Sequence, residues 1–321
     1  MKQENFLFVD IVSAIFLLLL MVGNLFGLLY ITDGNFPVSV LISLFIVVCY
    51  YFVIQLLKRN KEKMVNKSFM VPETLFFFVF IIFGLASLFF LTHFINVEMN
   101  AKDKIIADTD AKIQELINLP EAYKEVAENE VLEFDGDLSS KLQAYKSNPT
   151  NELKSTLLST PYSIDSLVLN TPSYINVREV TDSRLEHLNY QINQNYKELD
   201  ESIVFPAEQY QNVFLNWQRM NVVSSYEGLN SFIERSYASV NEKLDELPRD
   251  VAHFEYEEGM DTLPLNDPIA LNEMYKPDYI IPSVSVVLLH LFILIPFFTH
   301  RVRKYNKTNR EKGEIKGGHR I

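Results

Sequence analysis

Cysteine is nearly missing from this sequence: Cys49 stands alone, inside an apolar run, which excludes a disulfide-built secreted scaffold. Glycine is also scarce, at 10 in 321 residues. Between Asn96 and Asp278 only Gly136, Gly228 and Gly259 occur, too few for the tight turns of an all-β domain. Bases are outnumbered, 29 against 41 acids, and a net charge of -12 argues against nucleic acid, whose phosphates call for a basic face. Charge of either sign is almost absent from four stretches, each about the length of helix that crosses a bilayer core, so a soluble cytoplasmic enzyme is excluded. No Gly-x-Ser-x-Gly elbow, glycine-rich phosphate loop, His-Glu-x-x-His or Cys-x-x-Cys occurs, and no catalytic residue, metal site or cofactor is assigned.

What is present follows from those four stretches. The first span covers about Ile11–Ile31, the second Pro37–Leu57, the third Thr74–Phe94 after Pro72, and the fourth Tyr279–Thr299 with Pro282 and Pro296. The first is too long for the apolar part of a signal peptide and is followed by no small-residue cleavage site. Cys49 lies too deep in the chain to be a lipidated N-terminus. The fold class expected is an α-helical integral membrane protein of four transmembrane helices, with a mainly α-helical domain between the third and fourth.

Lys and Arg set the orientation. Lys58, Arg59, Lys61, Lys63 and Lys67 fill the loop between spans two and three. Arg301, Arg303, Lys304, Lys307, Arg310, Lys312, Lys316 and Arg320 fill the tail, residues 300–321. The insert, residues 96–278, has 34 acids and 15 bases, a net of -19; the remainder has 14 bases and 7 acids, a net of +7. Both termini are therefore expected in the cytoplasm and the insert in the periplasm of a bacterial inner membrane. Neither Asn-x-Ser/Thr site, at Asn66 and Asn306, lies in the insert. The tail is read as a topology determinant touching anionic lipid, with docking of a cytoplasmic partner as its other use.

The insert's 183 residues can bury a core of their own. No Gly or Pro interrupts Leu85–Leu119, so span three is expected to continue outward as a helix until Pro120 stops it. Met99, Ile106 and Ile113 recur every seven residues, with Leu116 offset by three. Separate helices are expected over Glu121–Phe134 and Asp137–Lys146. Alternation at Leu167, Leu169, Ile175 and Val177 around Thr171-Pro172-Ser173 predicts a small hairpin. Thr181 or Asp182 would cap the next helix, and Pro206 would open another. Ser224 and Glu227 form a capping box ahead of a helix over Ser225–Leu247. The chain from Arg249 to Pro277 reads as an extended acidic return to the membrane. Its Asp250, His253, Glu255, Glu257, Glu258 and Asp261 match no calcium-loop spacing and are read as a solvated linker.

Polar residues within the spans carry a desolvation cost and are the sharper signal. Asn24 and His290 sit near mid-span, and His93 near the end of span three. A proton relay through His290 is one reading. A neutral His290 bonded across the bundle to Asn24, Ser87 or Thr92 is the other, and is preferred because a relay needs several carboxylates or histidines and the midplane offers just one. Gly23 and Gly27 form Gly-x-x-x-Gly, and Ser39 and Ser43 repeat small residues at the same interval. Both pairs let helix backbones approach closely, within the bundle or in a homo-oligomer.

Three N-terminal spans, the basic loop Lys58-Arg59-Asn60-Lys61-Glu62-Lys63, a helical acidic insert, a last span and a basic tail together resemble the TssN family. These are inner-membrane components of the Bacteroidetes-type (subtype iii) type VI secretion system. The resemblance is one of layout and assigns no functional residue. It implies a non-enzymatic scaffold of a trans-envelope complex, partnered by other membrane-complex subunits. Two alternatives remain open: a sensor whose insert binds a ligand, and an accessory subunit of a transporter or proton channel using His290.

Overall fold

The computed structural model describes residues 8–65, 73–256 and 263–301, with the two-residue antiparallel strands Arg303–Lys304 and His319–Arg320. All other regular structure among the described residues is helical. The chain divides into two compact units: residues 1–105, 218–224 and 263–321, and residues 106–217 with 225–262.

Four helices of the first unit are long and apolar enough to cross a membrane. They are α1 (Phe8–Ile31), α2 (Phe36–Val65), α3 (Glu73–Asn96) and the pair α11 (Ile280–Ile293) with α12 (Ile295–Thr299). Each expected span falls inside one of them, apart from Tyr279 at the start of the fourth. α1 packs on α2, α3 and α11, around Leu17, Leu20, Tyr50, Val53, Ile54, Leu57, Phe80, Ile293 and Phe297. The outward faces stay as apolar as the core: Leu41, Phe45, Phe52, Phe78, Leu85, Val287 and Leu291 are all exposed. That all-round apolarity is what a lipid-facing helix needs. Pro296 breaks the fourth span, because it brings no N–H and cannot continue the ladder. The Phe297 N–H bonds Leu294 O instead of Ile293 O, and Ser13 Oγ donates to the freed Ile293 carbonyl at 2.9 Å. In hydrocarbon such a carbonyl must find a protein donor.

A π-turn, Val97–Ala101, joins α3 to α4 (Lys102–Ser147), so helix runs continuously from Glu73 to Ser147, 75 residues. The expected stop at Pro120, and the separate helices at Glu121–Phe134 and Asp137–Lys146, are thus corrected. Ile113, Leu116, Leu119, Tyr123, Ala127, Val131, Phe134, Leu138, Leu142 and Tyr145 form one buried stripe at spacings of three and four through both Pro120 and Gly136. Tertiary burial of that stripe outweighs the local helix-breaking preference. The stripe is also not the expected heptad: Met99 is 62% exposed, and Ala101, Ile105 and Thr109 lead into Ile113 instead.

In the second unit α4 is joined by α5 (Asn151–Leu158), α6 (Ser166–Leu169), a 3-10 turn Pro172–Tyr174, α7 (Val177–Leu199), α8 (Phe205–Leu215) and α9 (Val222–Asp245). A π-turn, Asp200–Val204, makes α7 and α8 continuous, so Pro206 lies inside a helix and opens none. The continuous α7–α8 runs antiparallel to α4 (Asn195 to Tyr123, Gln211 to Asp110), and α9 runs parallel to it (Tyr237 to Glu115, then Arg249 just past its end to Glu130). Leu188, Ile192, Leu199, Ile203, Phe214, Leu229, Ile233, Val240 and Leu244 are all buried and supply the apolar faces of α7, α8 and α9.

The hairpin expected near 163–180 does not form. Asp165 accepts from the Leu167 N–H and Asn176 from the Glu179 N–H, so both residues begin helices. The cap is Asn176, and Thr181 lies buried within α7. Ser224 likewise falls inside α9, where its hydroxyl donates to Asn221 O, so the capping box at Ser224 and Glu227 does not form. The return segment is irregular over 250–256 and then forms α10 (Pro268–Met274), capped by Asp267; residues 257–262 lie outside the described set.

Candidate functional site

The groups with most chemistry in the first unit lie on a line of hydrogen bonds through the bundle. Asn24 Nδ2 on α1 donates to Ser87 Oγ on α3 at 3.1 Å, and Ser87 Oγ lies 3.5 Å from Tyr50 Oη on α2. Tyr50 Oη sits 2.6 Å from Nε2 of His290 on α11, whose Nδ1 is 2.6 Å from Val286 O. Direction follows from the two ends. A carbonyl only accepts, so Nδ1 carries the proton and donates; in the neutral ring Nε2 is then the bare nitrogen, and the Tyr50 phenol donates to it. The geometry thus selects the Nδ1–H tautomer of a neutral His290, with the Tyr50 and Phe80 rings edge-on to it at centroid distances of 5.3 and 5.1 Å. Gly84 provides the room, because a Cβ there would lie 3.1 Å from His290 Nε2. Asn24 Oδ1 is buried with no partner. Among the described residues no carboxylate, second histidine or lysine joins the line.

His93 belongs elsewhere. Its Nε2 is 2.9 Å from Leu265 O, in the segment leading to α10, and its Nδ1 is buried without a partner. Asn96 follows one turn later and donates to Asn272 Oδ1 at 2.8 Å and Tyr275 O at 3.2 Å.

Of the small residues, Gly27 has the clear role: a Cβ there would overlap the Phe90 carbonyl, so α1 and α3 cross backbone against backbone. Gly23 has ordinary space, its nearest neighbour Leu91 Cδ1 lying 3.6 Å from a built Cβ. Ser39 and Ser43 are fully buried on α2. Ser39 Oγ donates to Asn35 O at 2.9 Å and lies 2.7 Å from Thr32 Oγ1, tightening the α1–α2 turn; Ser43 Oγ has no partner.

Beside that turn the first unit carries a cluster that residue spacing gave no hint of. Glu98, positioned by the π-turn after α3, accepts from Tyr30 Oη at 2.7 Å and Arg219 Nε at 2.5 Å, with Lys102 Nζ at 3.8 Å. The Arg219 guanidinium lies 5.2 Å from the Phe26 ring and 5.7 Å from the Phe94 ring. Its hydrogen bond to the Glu98 carboxylate pushes its pKa up. At the opposite end of the bundle Lys58 pairs with Asp10 at 3.2 Å, and Lys61 Nζ caps Phe297 O at 3.1 Å.

In the second unit several charged groups are paired. Arg249 binds buried Glu130 through Nε and Nη2 at 2.8 and 3.0 Å and also reaches Glu133. Asp137 accepts from Lys141 and Tyr162, and these hydrogen bonds hold its carboxyl below the usual range. His253 pairs with Asp245 at 2.7 Å, His187 is exposed, and Glu257, Glu258 and Asp261 lie outside the described residues. Among the described residues no group of three His, Cys, Asp or Glu side chains could hold a metal ion. No family model, no curated protein and no solved structure matches the chain.

Proposed function

We propose that the chain is a non-enzymatic scaffold subunit of a trans-envelope secretion complex in a bacterial inner membrane, of the kind its layout resembles in the TssN family. Both termini would lie in the cytoplasm and residues 96–278 in the periplasm, a reading supported by the split of Lys and Arg between the segments. The observation that carries the reading is the helix Glu73–Ser147, unbroken for 75 residues from a membrane-crossing segment into the acidic insert. A continuous helix is the stiffest tie between a bilayer anchor and an extramembrane domain. The closed hydrogen bonding of His290 supports the same reading, because it ends on Val286 O and not on a carboxylate. Subunits of the same membrane complex, and further copies of this chain, are the partners this predicts.

Reporter fusions at Gly136 and Gly228 test the orientation: a periplasmic reporter should be active at both and a cytoplasmic one at neither. Mild-detergent purification of the full chain from its native membrane, with mass spectrometry, tests the role. Recovery of envelope-spanning secretion subunits is expected. A sensor kinase or a permease as the stoichiometric partner would instead establish one of the other two classes.

A further inference from the structure

Residues 218–221 connect α8 to α9, yet by their contacts they belong to the membrane unit. Their hold is narrow. Arg219 enters a seat made of Glu98, Phe26 and Phe94, and the Met220 carbonyl rests on Gly34, whose φ of +77° and missing Cβ allow the approach. A side chain at position 34 would overlap that carbonyl. Two backbone bonds close the turn itself, from Asn221 N and Val222 N to Gln218 O at 2.8 and 2.9 Å. Met220 is 49% exposed, and the Arg219 side chain 37%. Val222 and Val223, by contrast, are buried at the start of α9 and mark where the loosely held part ends.

We propose that residues 218–221 form a releasable strap, seated on the α1–α2 turn and the end of α3 by Arg219, which opens while the membrane helices and α9 stay folded. The physical ground is the mismatch between seat and surroundings. An ion pair, the Tyr30 hydroxyl, two ring faces and a backbone contact hold these four residues, whereas the flanking helices are held by continuous buried stripes. Elements with few buried apolar contacts and exposed hydrogen bonds open at lower free energy than the body that carries them. Release of the strap is independent of whether the chain is a scaffold.

Hydrogen exchange on the full-length protein in nanodiscs tests it, with two variants that act on different halves of the seat. Glu98→Gln removes the charge, and Phe94→Leu keeps apolar bulk but removes a ring face. Each should raise exchange at Asn221 and Val222 by about tenfold or more, with α1, α3 and the middle of α9 unchanged. Fluorescence of Trp217, the only tryptophan in the chain, should shift in the same two variants. Unchanged exchange at 221–222 in both variants would overturn the proposal. So would loss of protection across α1 and α3 together with the strap, since the strap would then be part of the bundle's own fold.

Discussion

The two units use their polar groups in opposite ways. Within the apolar spans of the membrane unit they are few and the bonds between helices are neutral: Asn24 donates to Ser87, Tyr50 to His290, and Ser13 to a carbonyl freed by Pro296. In the insert they are many and ionic, as in Arg249 with Glu130 and Glu133, and Lys243 with Glu198 and Glu246. The cause is the solvent. Water drives apolar side chains of the insert together, whereas lipid tails are as apolar as leucine and give the membrane helices no such drive. Close backbone approach and a few interhelical hydrogen bonds have to replace it.

Truncating the two cores separates the units most strongly. Phe134→Ala, at a fully buried position of α4, should destabilise the insert by about 3–5 kcal/mol, followed by Trp217 fluorescence in denaturant. Leu20→Ala, equally buried but in the membrane unit, should cost roughly 1–2 kcal/mol, because only the packing part is lost. Equal losses would mean that the two cores are held by the same force. The glycines should divide in the same way. Gly27→Ala should cost about 3 kcal/mol, more than Leu20→Ala, since its Cβ meets the Phe90 backbone and not a side chain that can turn away. Gly136→Ala should have the opposite sign, a gain of about 0.5–1 kcal/mol, because a Cβ there meets open space in mid-helix. Thermal unfolding of both variants in one detergent compares them directly.

How much of this is legible in the sequence depends on the same difference. The spans stand out because twenty apolar residues in a row have few other uses, and Asn24 and His290 are visible as exceptions within them. Tyr50 escapes such a reading, although a tyrosine away from the membrane surface is itself an exception to the usual interfacial placement. In the insert, local rules mislead. Pro120 and Gly136 read as breaks, but the buried stripe from Ile113 to Tyr145 continues through both. The expected hairpin fails where Asn176 and Glu179 form a reciprocal cap, Asn176 Nδ2 donating to Glu179 Oε2 at 3.1 Å. That signal lies in the sequence, under the more conspicuous alternation of Leu and Ile. Arg219 and Glu98 are 121 positions apart, and no pattern rule joins such a pair.

Smaller effects distinguish the units further. Tyr50→Phe should cost about 1 kcal/mol by leaving His290 Nε2 without its donor. Nitrogen-15 spectra of the wild-type imidazole should show the proton on Nδ1. The insert should respond to acid through Asp137. Asp137 titrates below the ordinary carboxylate range when folded, so its contribution is present above about pH 4 and is lost as pH falls through the lowered folded value. Asp137→Asn should flatten that acid limb of the insert's unfolding curve.

If the chain acts through contacts and not through chemistry at His290, a deletion strain complemented with His290→Gln should show it, with the partner set quantified by mass spectrometry from the same cells. Leu132→Glu, which places a charge on an exposed apolar position of α4, runs beside it. Full complementation and an unchanged partner set are expected for His290→Gln, and lost partners for Leu132→Glu. A His290→Gln protein that keeps every partner yet fails to complement would instead place the function in the membrane histidine and contradict the scaffold.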